Sequence, residues 1–250
     1  MREQKKNSIS LEIDENAIRQ AQTLIRTSRF SALSYLIPET GAPMVSQVNV
    51  ATDINGAPFF LISSLSNHFD ALTKDKRCAL LFGLPEKGDP AAHPRISVIG
   101  SAYKVNNKID IERLRRRFLA RHPYASLYID FTDFAFWRVQ PTQASLNGGF
   151  GKAYKLITAN LILSDTISCQ NLEPIENDII AHINSNAALL DAINKIKHQT
   201  GDWKIISIDC DGFDLMQNEK ISRLWFKIPI DNLNDIDQKL IELALSPQSS

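Results

Sequence analysis

The sequence has few cysteines, and the three it has, Cys78, Cys169 and Cys210, stand far apart. No CxxC-type cluster exists to hold zinc, and an odd, scattered set reads as buried free thiols of a reducing compartment. The roughly 18 continuous apolar residues needed to span a membrane occur nowhere in the chain. The N-terminus, MREQKKNSISLEIDEN, passes from basic to acidic with no apolar centre, which argues against a secretory signal. Net charge is lacking too. The 28 Lys and Arg balance 28 Asp and Glu, so bulk electrostatics do not favour nucleic acid. A P-loop, a GxGxxG, a carboxylate dyad and a Ser-His-Asp order are also missing as interpretable signals. These absences lead us to expect a cytoplasmic protein with neither a membrane nor a nucleic-acid partner.

What remains is a chain of 250 residues, 44% apolar and 22% charged, long enough for a sizeable core in one large or two small domains. Ile13 to Thr27 has helical spacing, with Asp14 placed to cap it. Ser31 to Ile37, Val45 to Ala51 and the run from Pro58 read as strands joined by short turns. Asn55-Gly56 supplies the positive φ of a tight hairpin, so these strands form an antiparallel meander. Arg77 to Leu84, Arg95 to Val105 and Phe131 to Leu146 read as further strands, with Pro141 marking an edge or a bulge. Five to seven strands with short turns suggest a closed or nearly closed barrel.

Past about Ser164 the character changes. Glu173 to Lys197 reads as one long helix, and three short strands and a closing helix over Asn232 to Leu245 follow. We therefore expect two domains, residues 1–165 and 166–250, the second with an α-β-β-β-α order.

Candidate functional residues are concentrated in LISSLSNHFDAL, residues 61–72. A strand that ends in hydroxyl residues and turns into a helix presents free N–H groups to an anion. Ser63, Ser64 and His68 add donors, and Arg95 could grip a phosphate bidentately. The plainer reading has Ser66 capping a helix from Asn67 to Thr73. His122, before Pro123, reads as a cation at a helix C-terminus, and His93 as a loop residue. The basic run Arg113, Arg115, Arg116, Arg117 and Arg121 reads as a solvated helix or an acidic-ligand rim, with Leu114 and Phe118 turned inward.

Four ordered segments carry a family resemblance: VNVATDINGAPFFLISSLSNH, DPAAHPRISVIGSA, RFLARHPYASLYIDFTDFAFWRV and ASLNGGFGKAY. IDCDGFDL and RLWFKIPI extend it toward the C-terminus. The chain resembles the HugZ-type haem-utilisation branch of the pyridoxamine 5′-phosphate oxidase-like, FMN-binding split barrels. The resemblance implies an α+β fold, a six-stranded antiparallel split β-barrel with flanking helices and a small C-terminal α/β domain. It further implies a homodimer that holds flavin mononucleotide or haem in an inter-subunit cleft, with oxidative haem breakdown as the family activity. The alternatives are an FMN-dependent oxidoreductase of a small substrate and a binding protein that has lost its cofactor.

Position by position, the resemblance assigns cofactor contacts to Val50, Ala51, Thr52, Ser63, Ser64, Asn67, His68, Arg95 and Lys152, with His68 also a haem-ligand candidate. Catalytic residues and a metal site are not assigned. The chain departs from the branch at Phe69 and Ala71, where threonine and asparagine are usual. It departs again at Asn186 and Ala187, and no histidine follows His198.

Overall fold

In a computed structural model, residues 11–84, 87–149, 151–163, 171–196, 202–226 and 238 are described. The first helix, α1 (Glu15–Thr27), starts where the sequence places its cap, with the Asp14 carboxylate accepting the Ala17 N–H at 2.7 Å. Strands β1 (Phe30–Leu36), β2 (Pro43–Thr52) and β3 (Pro58–Ser63) form the expected meander. Helix α2 (Asn67–Lys74) leads to β4 (Arg77–Phe82), β5 (Arg95–Lys104), helix α3 (Lys108–Arg121) and the long β6 (Phe134–Asn147). A strand not foreseen, β7 (Ala153–Ile157), pairs back onto β6, and the short helix α4 (Thr158–Leu161) follows.

The sheet order is β3-β2-β1-β4-β5-β6, and β6 also pairs with β3, which closes a six-stranded antiparallel barrel with β7 as an extra strand. The register shifts between Ile99 and Gly100, opposite Pro141, so this proline sits at a bulge. A Cβ at Gly100 would lie 2.3 Å from the Gln140 carbonyl oxygen, so only glycine allows the strands to close here. Inward residues of alternate positions, Leu33, Phe60, Leu80, Val98 and Val139 among them, fill the barrel beneath α1 and α2.

The expected long helix over residues 173–197 is in fact two, α5 (Glu176–Ser185) and α6 (Ala187–Ile196). Asn186 breaks it. Its side chain accepts the Ala188 and Leu189 N–H groups and so starts a new helix, the competition typical of asparagine. Strands β8 (Lys204–Asp209), β9 (Gly212–Gln217) and β10 (Lys220–Trp225) make a separate antiparallel sheet. Apart from Gln238, the closing helix expected over 232–245 lies outside the described residues. Among the described residues no helix is long and apolar enough to cross a membrane.

The basic helix α3 corrects the sequence reading. Arg113, Arg117 and Arg121, four residues apart, are buried, not solvated. Arg113 pairs with Asp53 at 2.8 Å, Arg117 with Glu176, and Arg121 with Asp214 at 2.9 Å. Asp214 also binds Arg223, which with Arg26 binds Asp209. Helices α1 and α3 are thus tied to the second sheet by ion pairs sealed from water, where each charge depends on its partner. The cysteines also depart from expectation. Cys78 is a free thiol, pushed by burial up to about 12, whereas Cys210 is disulfide-bonded.

Candidate functional site

The segment after β3 is built largely by its own hydrogen bonds. The Ser63 hydroxyl donates to the Asp133 carboxylate and accepts the Leu65 N–H at 3.0 Å, while the Ser64 N–H goes to the Asp133 carbonyl at 2.7 Å. Ser66 occupies the N-cap position of α2, but its hydroxyl donates back to the Ser63 carbonyl at 2.7 Å and caps nothing. Among the described residues the N–H groups of Asn67 and His68 have no backbone acceptor, so they are backbone donors the cradle still offers. His68 is half-buried against the Tyr35 ring at 5.9 Å, and desolvation lowers its pKa.

Phe69, which stands where a donor is usual, packs edge-on against Trp137 at 5.3 Å, and Ala71 is fully in the core. Both departures are therefore apolar packing positions. A flavin phosphate fits this segment poorly, because Ser63 has spent its proton and the carboxylate beside it would repel a dianion.

The other assigned residues lie elsewhere. Val50, Ala51 and Thr52 are all buried, Val50 in the barrel core and Ala51 on the opposite face with Phe59 and Phe118, so at this end of β2 Asn49 is the last exposed side chain. Arg95 pairs in register with Asn147 at the far end of β6, next to the turn that carries the exposed Lys152. Ser63 faces Phe134 at the near end. Thirteen residues of strand, up to about 40 Å, separate the two ends. Within one chain, then, the assigned residues fall into three groups and are not drawn together.

Sequence reasoning missed the cleft beside Asn49. A cavity of about 770 Å³ is bounded by Phe30 and Asn49, which face each other across β1 and β2. Its walls come from Arg29, from His122 and Tyr124 after α3, and from the Asn218–Lys220 tip of the β9–β10 hairpin. Asn218 and Glu219 both have positive φ, the geometry of a tight two-residue turn, and Glu219 reaches Arg29 at 2.9 Å.

His122 is not the helix-end cation expected. Burial is the main cause that drives its pKa down to about 4, with Arg121 and Arg29 adding to the effect, so the ring is neutral. Its Nε2 lies 2.8 Å from the Val50 carbonyl, an acceptor only, so Nε2 carries the proton and donates it. The signal was in the sequence, since a histidine right after a run of arginines is a poor place for another cation.

Comparisons with known proteins agree with this architecture. A family model described as "CREG, beta-barrel" matches residues 12–162. The chloroplastic heme oxygenase HOZ of Arabidopsis thaliana is 23% identical over 222 residues, 84% of this chain and 67% of that protein. A structure of unknown function from Agrobacterium tumefaciens superposes with a TM-score of 0.80 at 27% identity, covering 92% of this chain and 95% of that one. A heme-binding protein from Mycobacterium smegmatis shares the fold at a TM-score of 0.56 and 23% identity, over 93% and 98% of the two chains.

Proposed function

Because this chain belongs to the CREG β-barrel family, in the HugZ-type branch of the pyridoxamine 5′-phosphate oxidase-like split barrels, we propose that it binds haem or flavin. Of the two, we assign haem. One observation carries that preference: the Ser63 hydroxyl is committed to Asp133, which leaves a flavin phosphate facing a carboxylate. The relationship to a heme oxygenase over most of the chain supports the same ligand. Bound, an iron tetrapyrrole supplies redox chemistry at its metal, and the protein's part is to hold and orient it.

The ligand cleft is, in this reading, completed by a second copy of the chain. Val45, Ser34, Ala79 and Ile99 form one outward row across β2, β1, β4 and β5, and Gln47, Ala32, Leu81 and Ser97 form the next. The rows carry no charged side chain, and Val45, Leu81 and Ile99 are exposed, as a protein interface requires. The Phe30–Asn49 pair continues the same outer face toward the cleft. Placing a charge at the centre, Ile99→Glu, is expected to convert dimer to monomer in sedimentation, while the circular dichroism stays unchanged. A wild-type protein that sediments as a monomer would remove the second subunit from the site.

Absorption spectra of the purified protein before and after adding haem or flavin mononucleotide test the ligand. A saturable Soret shift with haem, with flavin bound weakly or not at all, is the expected result. Tight flavin binding with no haem response would favour the flavin oxidoreductase reading. Supplying reductant and dioxygen to the haem-loaded protein then separates breakdown, in which Soret absorption decays, from simple holding.

A further inference from the structure

The tip of the β9–β10 hairpin carries a residue that its own backbone disfavours. Lys220 pairs with Gln217, so Asn218 and Glu219 form a two-residue turn, with φ of 45° and 68°. Such a turn favours Asn-Gly, because glycine takes positive φ without steric cost. The Asn55-Gly56 turn between β2 and β3 follows that rule, with φ +84° at the glycine. Glu219 breaks it. Its ion pair does not account for the exception. The Glu219 side chain is 62% exposed where it meets Arg29 at 2.9 Å, and exposed pairs contribute little to stability. Backbone strain kept without a structural return points to function.

Glu219 occupies the charged corner of the cleft beside Asn49. It and Arg29 both line that cavity, whose volume of about 770 Å³ lies within the span of small-molecule pockets. Among the described residues, the charged lining is Arg29, Glu219 and Lys220, and His122 beside them is neutral. One positive charge is therefore in excess with Glu219 in place, and two once it swings away. Arg29 also keeps its Nε–H out of water with no acceptor among the described residues, so Glu219 does not satisfy the guanidinium. Phe30 and Tyr124, 37% and 75% exposed, set aromatic rings on the same cavity.

We propose that this cleft binds a small aromatic carboxylate, whose acid group takes the place of the Glu219 carboxylate on Arg29. Glu219 is then a built-in competitor, which holds Arg29 until the ligand arrives and turns out to solvent as it enters. Lys220 adds attraction for the acid group, and Phe30 and Tyr124 flank the aromatic body. A carboxylate is the ligand class because the group it replaces is one. Every described wall comes from a single chain, so this site stands apart from the haem reading and does not depend on it.

Calorimetric titration of the haem-free full chain with 2-naphthoate tests this, with uncharged 2-naphthalenemethanol and inorganic phosphate as comparisons. Naphthoate is expected to bind once per chain, about tenfold or more tighter than either comparison. Glu219→Gln should tighten naphthoate by about two- to fivefold, because the competing charge is gone. Glu219→Gly should do the same and also raise the thermal midpoint by about 2–4 °C, since glycine suits the turn. Arg29→Gln should bring naphthoate down to the level of the alcohol. Wild-type protein that binds naphthoate no tighter than the alcohol would overturn the proposal, and so would Glu219→Gln with affinity unchanged or weakened. A midpoint lowered by Glu219→Gly would give the glutamate a structural task and overturn its role as competitor. The Soret response to haem is read separately on the same protein, so the haem reading survives failure here and can fail without it.

Discussion

Asp209→Asn is expected to lower stability by about 3–5 kcal/mol, the usual cost of leaving buried cations without their counter-charge. For a chain of this size that is about 6–20 °C in thermal midpoint. The carboxylate holds Arg26 at 3.1 Å and also Arg223, and both guanidinium groups are sealed from water. Asparagine keeps the shape and removes the charge, so the loss reports electrostatics, with packing held nearly constant. Surface pairs such as Arg115 with Asp130 supply the contrast, because exposed ion pairs contribute little. Moderate salt should leave the Asp209 effect in place, since buried charges are poorly screened.

The same carboxylate sets a pH response. Burial pushes the Asp209 pKa up, but Arg223 and Arg26 outweigh it and hold it at about 2, below its ordinary 3.8. A depressed acid favours the folded state above the unfolded pKa. Its contribution, about 2 kcal/mol, is therefore complete above pH 3.8 and is lost as pH falls from there toward 2. Urea unfolding at a series of pH values checks this. The wild-type curve should drop through that window, and the Asp209→Asn curve should be flatter across it.

The second large effect is expected from Gly56→Ala. Gly56 has φ +84°, and a Cβ there would lie 2.4 Å from Nη2 of Arg26. Left-handed backbone costs a residue with a side chain about 1–2 kcal/mol, and forced overpacking adds about 1–3 more. Arg26 has no solvent to retreat into, being 0% exposed, so the displacement strains its bond to Asp209. Gly41→Ala is the control: φ is +69° but no atom lies within 4 Å, so only the backbone cost should appear. Equal losses at both positions in chemical denaturation would show that the contact with Arg26 is not what glycine protects.

Much of the barrel was legible because its signals are local. Asp14 at a helix start, Asn55-Gly56 at a hairpin and Pro141 at a bulge each act on their own neighbours. The strand alternation then fixed which side chains turn inward. Strand β7 escaped notice because Ala153–Ile157 is short and follows a glycine-rich turn that reads as loop. The helix break at Asn186 was a local signal that a long apolar pattern masked.

Long-range pairing was not legible. Arg113, Arg117 and Arg121 share one face by their spacing of four. Their partners Asp53, Glu176 and Asp214 are 59 to 93 positions away, and nothing near the arginines announces them. The site followed the same rule. The SSLSNH segment and its backbone donors were found, yet Asp133, 70 positions from Ser63, decides what the segment can bind. The cleft beside Asn49 was invisible because its walls are five separate stretches of chain.

The distance between Arg26 and Asp209, 183 positions, also sets an order of birth. A ribosome adding about 5–20 residues each second makes the arginine on the order of 10–40 s before its carboxylate. In that interval every barrel strand has been synthesised, while Arg26, Arg117 and Arg121 still await the acids that neutralise them. The nascent barrel is thus a transient polycation. Helix α5 and strands β8 and β9 then bring Glu176, Asp209 and Asp214, the counterions that let those arginines leave water.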